Sequence, residues 1–331
     1  MPPRAWGWWT EQKLDILGDY LAAFTTASTR AGKTVYLDLF AGQPENVSRD
    51  RDEHAIRGSA RRALDTKPPF RVLRFFELAS RAKSLDSALK AGYPGRDFRV
   101  VPGDCNATIG PALAELASLD LRWAPTFAFL DQQSTEVQWS TLQKLARYKR
   151  ADKPKTELWL LCASGLLPRG LRFRTEAIDA TVADQISSMF GTDIWTDALH
   201  ATRDGLLTGA AFRDELTNLM RWRLERDLGY ETTLVFQVTN TTGRGIFDMI
   251  FATDHWAGEK IMTDLYAKAA RRQPALRQKA QLQRRQAREE KLGIHGMFDL
   301  DELAPQQLPA DAAFHIQHEH VPPHPPYRLP G

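Results

Sequence analysis

The alternation of apolar and helical segments predicts an α/β fold: five parallel strands in a doubly wound sheet, an antiparallel hairpin that completes it, and a helical insertion between the two. Three observations carry this. Residues 34–42 (TVYLDLFAG) form an apolar, β-branched and aromatic run that ends in an acid, a small residue and a glycine. A buried parallel strand has this form when it stops at a ligand-binding turn. Two further runs, 71–77 (RVLRFFE) and 126–131 (TFAFLD), also end in an acid. Finally, 232–239 and 246–253 read as strands joined by NTTGRG, whose glycines and asparagine are hairpin signals.

The elements follow in order. Residues 9–25 predict an amphipathic helix with Leu14, Leu17, Leu21 and Phe24 on one face, Thr10 as its cap, and Lys13 and Asp15 outward. Strand 34–40 is followed by a polar loop at 43–57 and a helix beginning at Gly58-Ser59. Strand 71–77 leads to helix 79–91, and strand 97–102 leads through Gly103-Asp104-Cys105-Asn106 to helix 109–117. Strand 126–131, helix 136–148 and strand 156–162 complete five rounds. Right-handed crossovers place all five strands in one parallel sheet. Residues 168–228 have helical periodicity and no clear strand, and a helix over 255–272 follows the hairpin. The expected order is 3-2-1-4-5-7-6, with the last strand antiparallel beside the fifth. Five parallel strands and then a hairpin is the order of the Rossmann-like class I methyltransferase sheet. The units are an N-terminal helix (1–30), the Rossmann-like core (31–165), the helical insertion (166–230), the hairpin and helix that complete the core (231–272), and a basic helix with a flexible, proline- and histidine-rich tail (273–331).

Candidate site residues lie at the strand ends. Gly42 lets the backbone after Asp38 and Phe40 approach a ligand without a Cβ in the way. Glu77 can accept hydrogen bonds from ribose hydroxyls, or pair with Arg81. Asp104 can take the exocyclic amine of an adenine, or cap the helix that follows it. Asp131 ends the fourth strand, where amino-methyltransferases place D/N-P-P-Y. Here the residues are Asp131-Gln132-Gln133-Ser134, and Trp139 is the nearest aromatic to offer a stacking face. His315, His318, His320 and His324 read as a solvated tail in preference to a metal centre. His54 and His255 have no nucleophile and acid around them, so no hydrolase triad is expected.

These residues resemble the three-Cys-motif partner protein family (TcmP). The resemblance rests on Trp9-Thr10 with Lys13, on Tyr36 to Gly42, on Gly58-Ser59, on Phe76-Glu77, on Phe129-Leu130-Asp131 with Trp139, and on Phe247 to His255 with Gly258. It covers residues 9–270 or so. It implies a bacterial protein with a class I methyltransferase-like fold, encoded beside a partner bearing three motif cysteines. In the enzyme reading S-adenosylmethionine is the cofactor, with Asp38, Phe40, Gly42, Glu77 and Asp104 around it and Asp131 and Trp139 facing the acceptor. The chain departs from the family at Gln43-Pro44, where a second glycine is usual, and at Asp131-Gln132-Gln133, where Asp-Pro and a glycine are usual. The first departure predicts weak or absent cofactor binding. Together they set a second reading beside the enzyme: a scaffold that keeps the fold, has lost turnover and binds or regulates a partner protein.

Composition bounds the alternatives. With 331 residues, 43% apolar and 26% charged, the chain can bury a large core. A formal charge of +3 does not indicate a nucleic-acid partner, and the basic residues at 271–288 are diluted by Glu289-Glu290. Two cysteines without metal-ligand spacing, and no apolar run long enough to span a bilayer, give the expectation of a cytoplasmic protein that carries no metal.

Overall fold

A computed structural model describes residues 5–6, 8–48, 55–165, 167, 171, 179–240, 245–292 and 320–329. Its main sheet has seven strands: β2 (Val35–Asp38), β5 (Val72–Glu77), β6 (Phe98–Pro102), β7 (Thr126–Leu130), β8 (Glu157–Cys162), β9 (Thr232–Thr239) and β10 (Gly245–Thr253). They lie in the order β6-β5-β2-β7-β8-β10-β9. The first five are parallel, and β10 enters antiparallel between β8 and β9. The fold is therefore α/β with a mostly parallel mixed sheet, in the strand order expected from the sequence.

The strands are long apolar runs because both faces of the sheet are covered. On one face, α1 (Trp8–Ala27), α2 (Ser59–Asp65), α3 (Ala79–Gly92) and α9 (Trp256–Leu292) pack over Tyr36, Phe75, Phe127, Phe129, Trp159 and Phe251. This face is aromatic. Tyr20 of α1 lies 5.2 Å from Phe127 and 5.1 Å from Phe251 between ring centroids, within the range where edge and tilted contacts add to area burial. On the other face, α4 (Cys105–Ser118), α5 (Trp139–Arg147), α6 (Ala180–Phe190), α7 (Trp195–Arg203) and α8 (Gly209–Arg226) pack over Val35, Leu37, Ala128, Leu130, Leu158 and Leu160. The insertion shares one apolar cluster with the sheet, because Met189, Phe212 and Met220 join these same strand residues.

Helix α1 runs against the strand direction. Its start meets the carboxyl end of β7 through Lys13 and Asp131. Two turns later Tyr20 donates to Glu157 at the start of β8 (2.5 Å). Glu157 also accepts from Thr253 at 2.9 Å, and burial pushes its carboxyl up to about 7. A Cβ on Gly258 would run into Glu157 Oε1, so glycine here leaves room for this buried carboxyl.

Four expectations are corrected. The polar loop at 43–57 contributes strands β3 (Glu45–Ser48) and β4 (Ala55–Arg57), which with β1 (Ala5–Trp6) form a small second sheet, while 49–54 lie outside the described residues. Thr10 lies inside α1 and is buried, so it is no cap. The break expected near Pro274 is absent: α9 continues through it, and Gln273 is buried with its Nε2 donating to Gln237 O at 3.1 Å. The tail expected to be flexible is seated, over residues 320–329, on α7 and α8. Among the described residues, no helix is long and apolar enough to cross a membrane.

Candidate functional site

The carboxyl edge of the sheet gathers the sequence candidates by register. Asp38 pairs with Phe75 of β5 and Phe129 of β7, so Glu77 and Asp131 each lie two residues further along. The turn after β2 is pinned on both sides: Leu39 N–H donates to Phe129 O (2.9 Å) and Ala41 N–H to Phe76 O (3.0 Å). Gly42 follows at φ 63°, a left-handed conformation that a side chain disfavours. Among the described residues, its missing Cβ would meet only Phe40 O, at 3.8 Å, so they leave the space beside it open. Phe40 is half-buried against the core.

Asp38 is fully buried and does not face that space. Its carboxyl accepts from Tyr36 Oη (3.1 Å), Phe40 N (3.3 Å) and the Ser59 hydroxyl. Burial nonetheless pushes it up to about 7, because three hydrogen bonds do not replace the lost water and Asp131 adds repulsion. The carboxyl thus has its role inside the fold. The folded chain keeps a proton on Asp38 from about pH 4, near the unfolded value, to about pH 7. Its contribution to stability is therefore full below about pH 4 and lost as pH rises through about 7. Glu157, also raised to about 7, acts in the same window. Urea titrations between pH 4 and 8 should show stability falling with pH, with a shallower fall in Asp38→Asn and in Glu157→Gln. An unchanged slope in both variants would contradict the buried-carboxyl account.

Asp131 is ion-paired. Lys13 Nζ lies 2.6 Å from both of its oxygens, with the lysine side chain 7% exposed and the carboxylate 24%. The ammonium also sits 5.7 Å from the Phe247 ring centroid. Lys13 was expected to point outward, and the structure corrects this. Lys13, Leu17, Tyr20 and Phe24 form an i, i+4, i+7, i+11 stripe, and that spacing was the available signal.

The neighbouring Gln132 is buried and fully used. Its Nε2 donates to Leu161 O (2.9 Å) and contacts Met189 Sδ (3.5 Å), and its Oε1 accepts from Val137 N (2.8 Å). It ties β7 to β8, to the 133–137 turn and to α6. Trp139 opens α5 and is 6% exposed. Its ring packs against Gly191, where a Cβ would come within 2.4 Å, and under the Arg223 guanidinium at 4.2 Å from the centroid. This indole belongs to the core between sheet and insertion, so it presents no free stacking face.

Glu77 pairs with Arg81. Leu78 N (2.8 Å) and Arg81 Nε (2.9 Å) and a second guanidinium nitrogen (2.8 Å) reach it, all at Oε1. Among the described residues, Oε2 receives none of these bonds and keeps its acceptor lone pairs. Asp104 is exposed and caps α4, accepting from Asn106 N at 2.9 Å. Asn106 in turn fixes the 136–141 segment, with its amide on Glu136 O (2.8 Å) and its carbonyl receiving Gln138 N (2.9 Å) and the Thr141 hydroxyl (2.8 Å).

One buried carboxyl at this edge was not singled out from the sequence. Asp248 of β10 stands opposite Cys162 and Gln237 and receives Ser164 Oγ (2.5 Å) and Thr217 Oγ1 (2.6 Å). Burial raises its carboxyl. The cluster joins β8, β10 and α8, and a β10 pattern of alternating large residues around one acid was its only trace in the sequence. Cys105 and Cys162 are free and buried, which pushes both thiols up, Cys105 to about 12.

Among the described residues, the open space at this edge lies beside the 39–42 turn, and Glu77 next to it is buried with its Oε1 engaged. Asp38, Asp131 and Trp139 are each engaged within the protein, while Asp104 takes the capping role that was its alternative and stays exposed. Compared with protein-family models and with curated proteins, the chain matches none.

Proposed function

We propose that this chain is a methyltransferase-like protein of the three-Cys-motif partner type, which holds S-adenosylmethionine at the carboxyl edge of β2 and β5. The strand order carries the reading: five parallel strands with a reversed strand inserted before the edge strand, in the order of the class I methyltransferase sheet. The open turn at Gly42 and the acceptor oxygen of Glu77 support it at the place where such folds bind nucleosides. Gly42 gives the backbone room to approach the methionine moiety, Phe40 borders it, and Glu77 Oε2 accepts from the ribose. The bound cofactor supplies an activated methyl group on a sulfonium, and the protein's part is to align it with the acceptor.

A second reading has its own observation. Asp131 is paired with Lys13 and the Gln132 amide is consumed in the core, so neither is free to hold an acceptor amine. A scaffold that keeps the fold and escorts a partner protein, one bearing a three-cysteine motif in the TcmP reading, accounts for this.

Calorimetric titration with S-adenosylmethionine tests the first reading. Weak binding is expected, with a further loss of about tenfold or more in Glu77→Ala, since hydrogen bonds to a charged group are worth roughly 1.5–3 kcal/mol. Absence of heat with the unaltered chain removes the cofactor. Binding without transfer of a labelled methyl group to host protein or nucleic acid leaves the scaffold.

A further inference from the structure

Residues 320–329 (HVPPHPPYRL) lie along α8 as an extended segment that is recognised by side chains. Asn218 makes the central contact. Its Oδ1 accepts the His324 N–H at 3.1 Å and its Nδ2 donates to His324 O at 3.0 Å, so one amide pairs both backbone groups of a single residue. A neighbouring strand would grip an extended peptide in this way. Arg221 donates to Val321 O on one side of this contact, and Glu215 accepts the Tyr327 N–H at 3.3 Å on the other. The ends are held by polar contacts: Glu225 lies 2.8 Å from His320 Nε2, and Asp197 pairs with Arg328 at 3.3 Å. The contacts at 215, 218, 221 and 225 follow helical spacing, so α8 presents them on one face.

The composition of the segment suits this seat. Pro322, Pro323, Pro325 and Pro326 have no N–H to satisfy, and they preset an extended, polyproline-like backbone that loses little entropy on docking. The two N–H groups at 324 and 327 meet Asn218 and Glu215. Pro323 is buried, and Tyr327 packs against the sheet's apolar cluster. On the receiving side, Asn218 and Arg221 are each 7% exposed, although both are polar. Arg221 is further anchored by Thr233 Oγ1 at 2.9 Å, so it is held in place for the segment's carbonyl.

We propose that this face of α7 and α8 is a recognition site for an extended, proline-rich segment ending in a basic residue, and that residues 320–329 occupy it as a tethered ligand. Its partner, when the tethered copy leaves, is a segment of the same chemistry on another protein. The site is independent of the cofactor reading, since none of its residues belongs to the β2 and β5 edge.

The test uses the full chain and a fluorescein-labelled peptide with the sequence of residues 320–329, read by anisotropy. Two variants displace the tethered copy: Pro323→Asp with Tyr327→Ala, which removes the buried contacts, and Arg328→Glu, an exposed change that sets a carboxylate against Asp197. The peptide is expected to bind the emptied chains at least about tenfold more tightly than the unaltered chain, whose tethered copy competes at an effective concentration on the order of millimolar. Asn218→Leu in the Arg328→Glu background should cost at least about tenfold again. A scrambled peptide of the same composition should not bind. Equal binding by emptied and unaltered chains, equal binding of the scrambled peptide, or none up to millimolar peptide would each overturn the proposal.

Discussion

Trp139→Ala is expected to lower the free energy of unfolding by about 3–5 kcal/mol, the range for removing a large buried aromatic. The indole is clasped between α6 and α8. Gly191 ends α6 at φ 65°, with no room for a Cβ beside the ring, and the Arg223 guanidinium covers the indole. Neither neighbour can close the gap: one is fixed by the helix end, and the other also donates to Phe190 O. Trp139→Phe should recover much of the loss. Urea unfolding measures it. A loss below about 1 kcal/mol would mean that the ring is a replaceable surface, as the stacking role expected from the sequence requires.

Lys13→Met is expected to cost about 3 kcal/mol, toward the lower end for breaking a buried pair because Asp131 keeps some exposure to water. The loss comes from what is left behind. Asp131 would hold a charge near Asp38, whose own carboxyl its repulsion already raises. Adding Asp131→Asn should therefore restore most of the stability, and a double-mutant cycle in urea would show a strongly favourable coupling. If the two single losses simply add, the pair is not the connection between α1 and the sheet.

The main strands were legible because burial on both faces leaves no polar position to confuse the pattern, as in Phe127 to Leu130 or Leu158 to Cys162. The acids at 38, 77 and 131 were legible as strand ends for the same reason. Their partners were not. Lys13 reads as a surface residue because lysines usually are, and only the tertiary crossing of α1 over β7 gives it a carboxylate. Gln132 occupies the place of a proline, and its core contacts come from β8 and α6, far away in sequence. The seated segment at 320–329 has the composition of a solvated tail. Its prolines favour an extended backbone, but its seat is supplied by α8, far away in sequence.

The placement of β10 bears on the route by which the chain folds. Strand β9 is made before β10 but has no contact ladder with β8; its only neighbour in the sheet is β10. A growing chain that has reached Thr239 therefore carries two open edges, one on β8 and one on β9; 245–253 pairs with β9 across the short 240–244 connection, and the hairpin then docks on β8. Docking on β8 comes late and closes the long connection between Cys162 and Thr232, which makes it slower than the local hairpin. Until it happens, β8 exposes an apolar edge of the kind that pairs with other chains. Variants that weaken β10 should thus show themselves first as lower yield and more aggregate during synthesis, before they alter the finished protein.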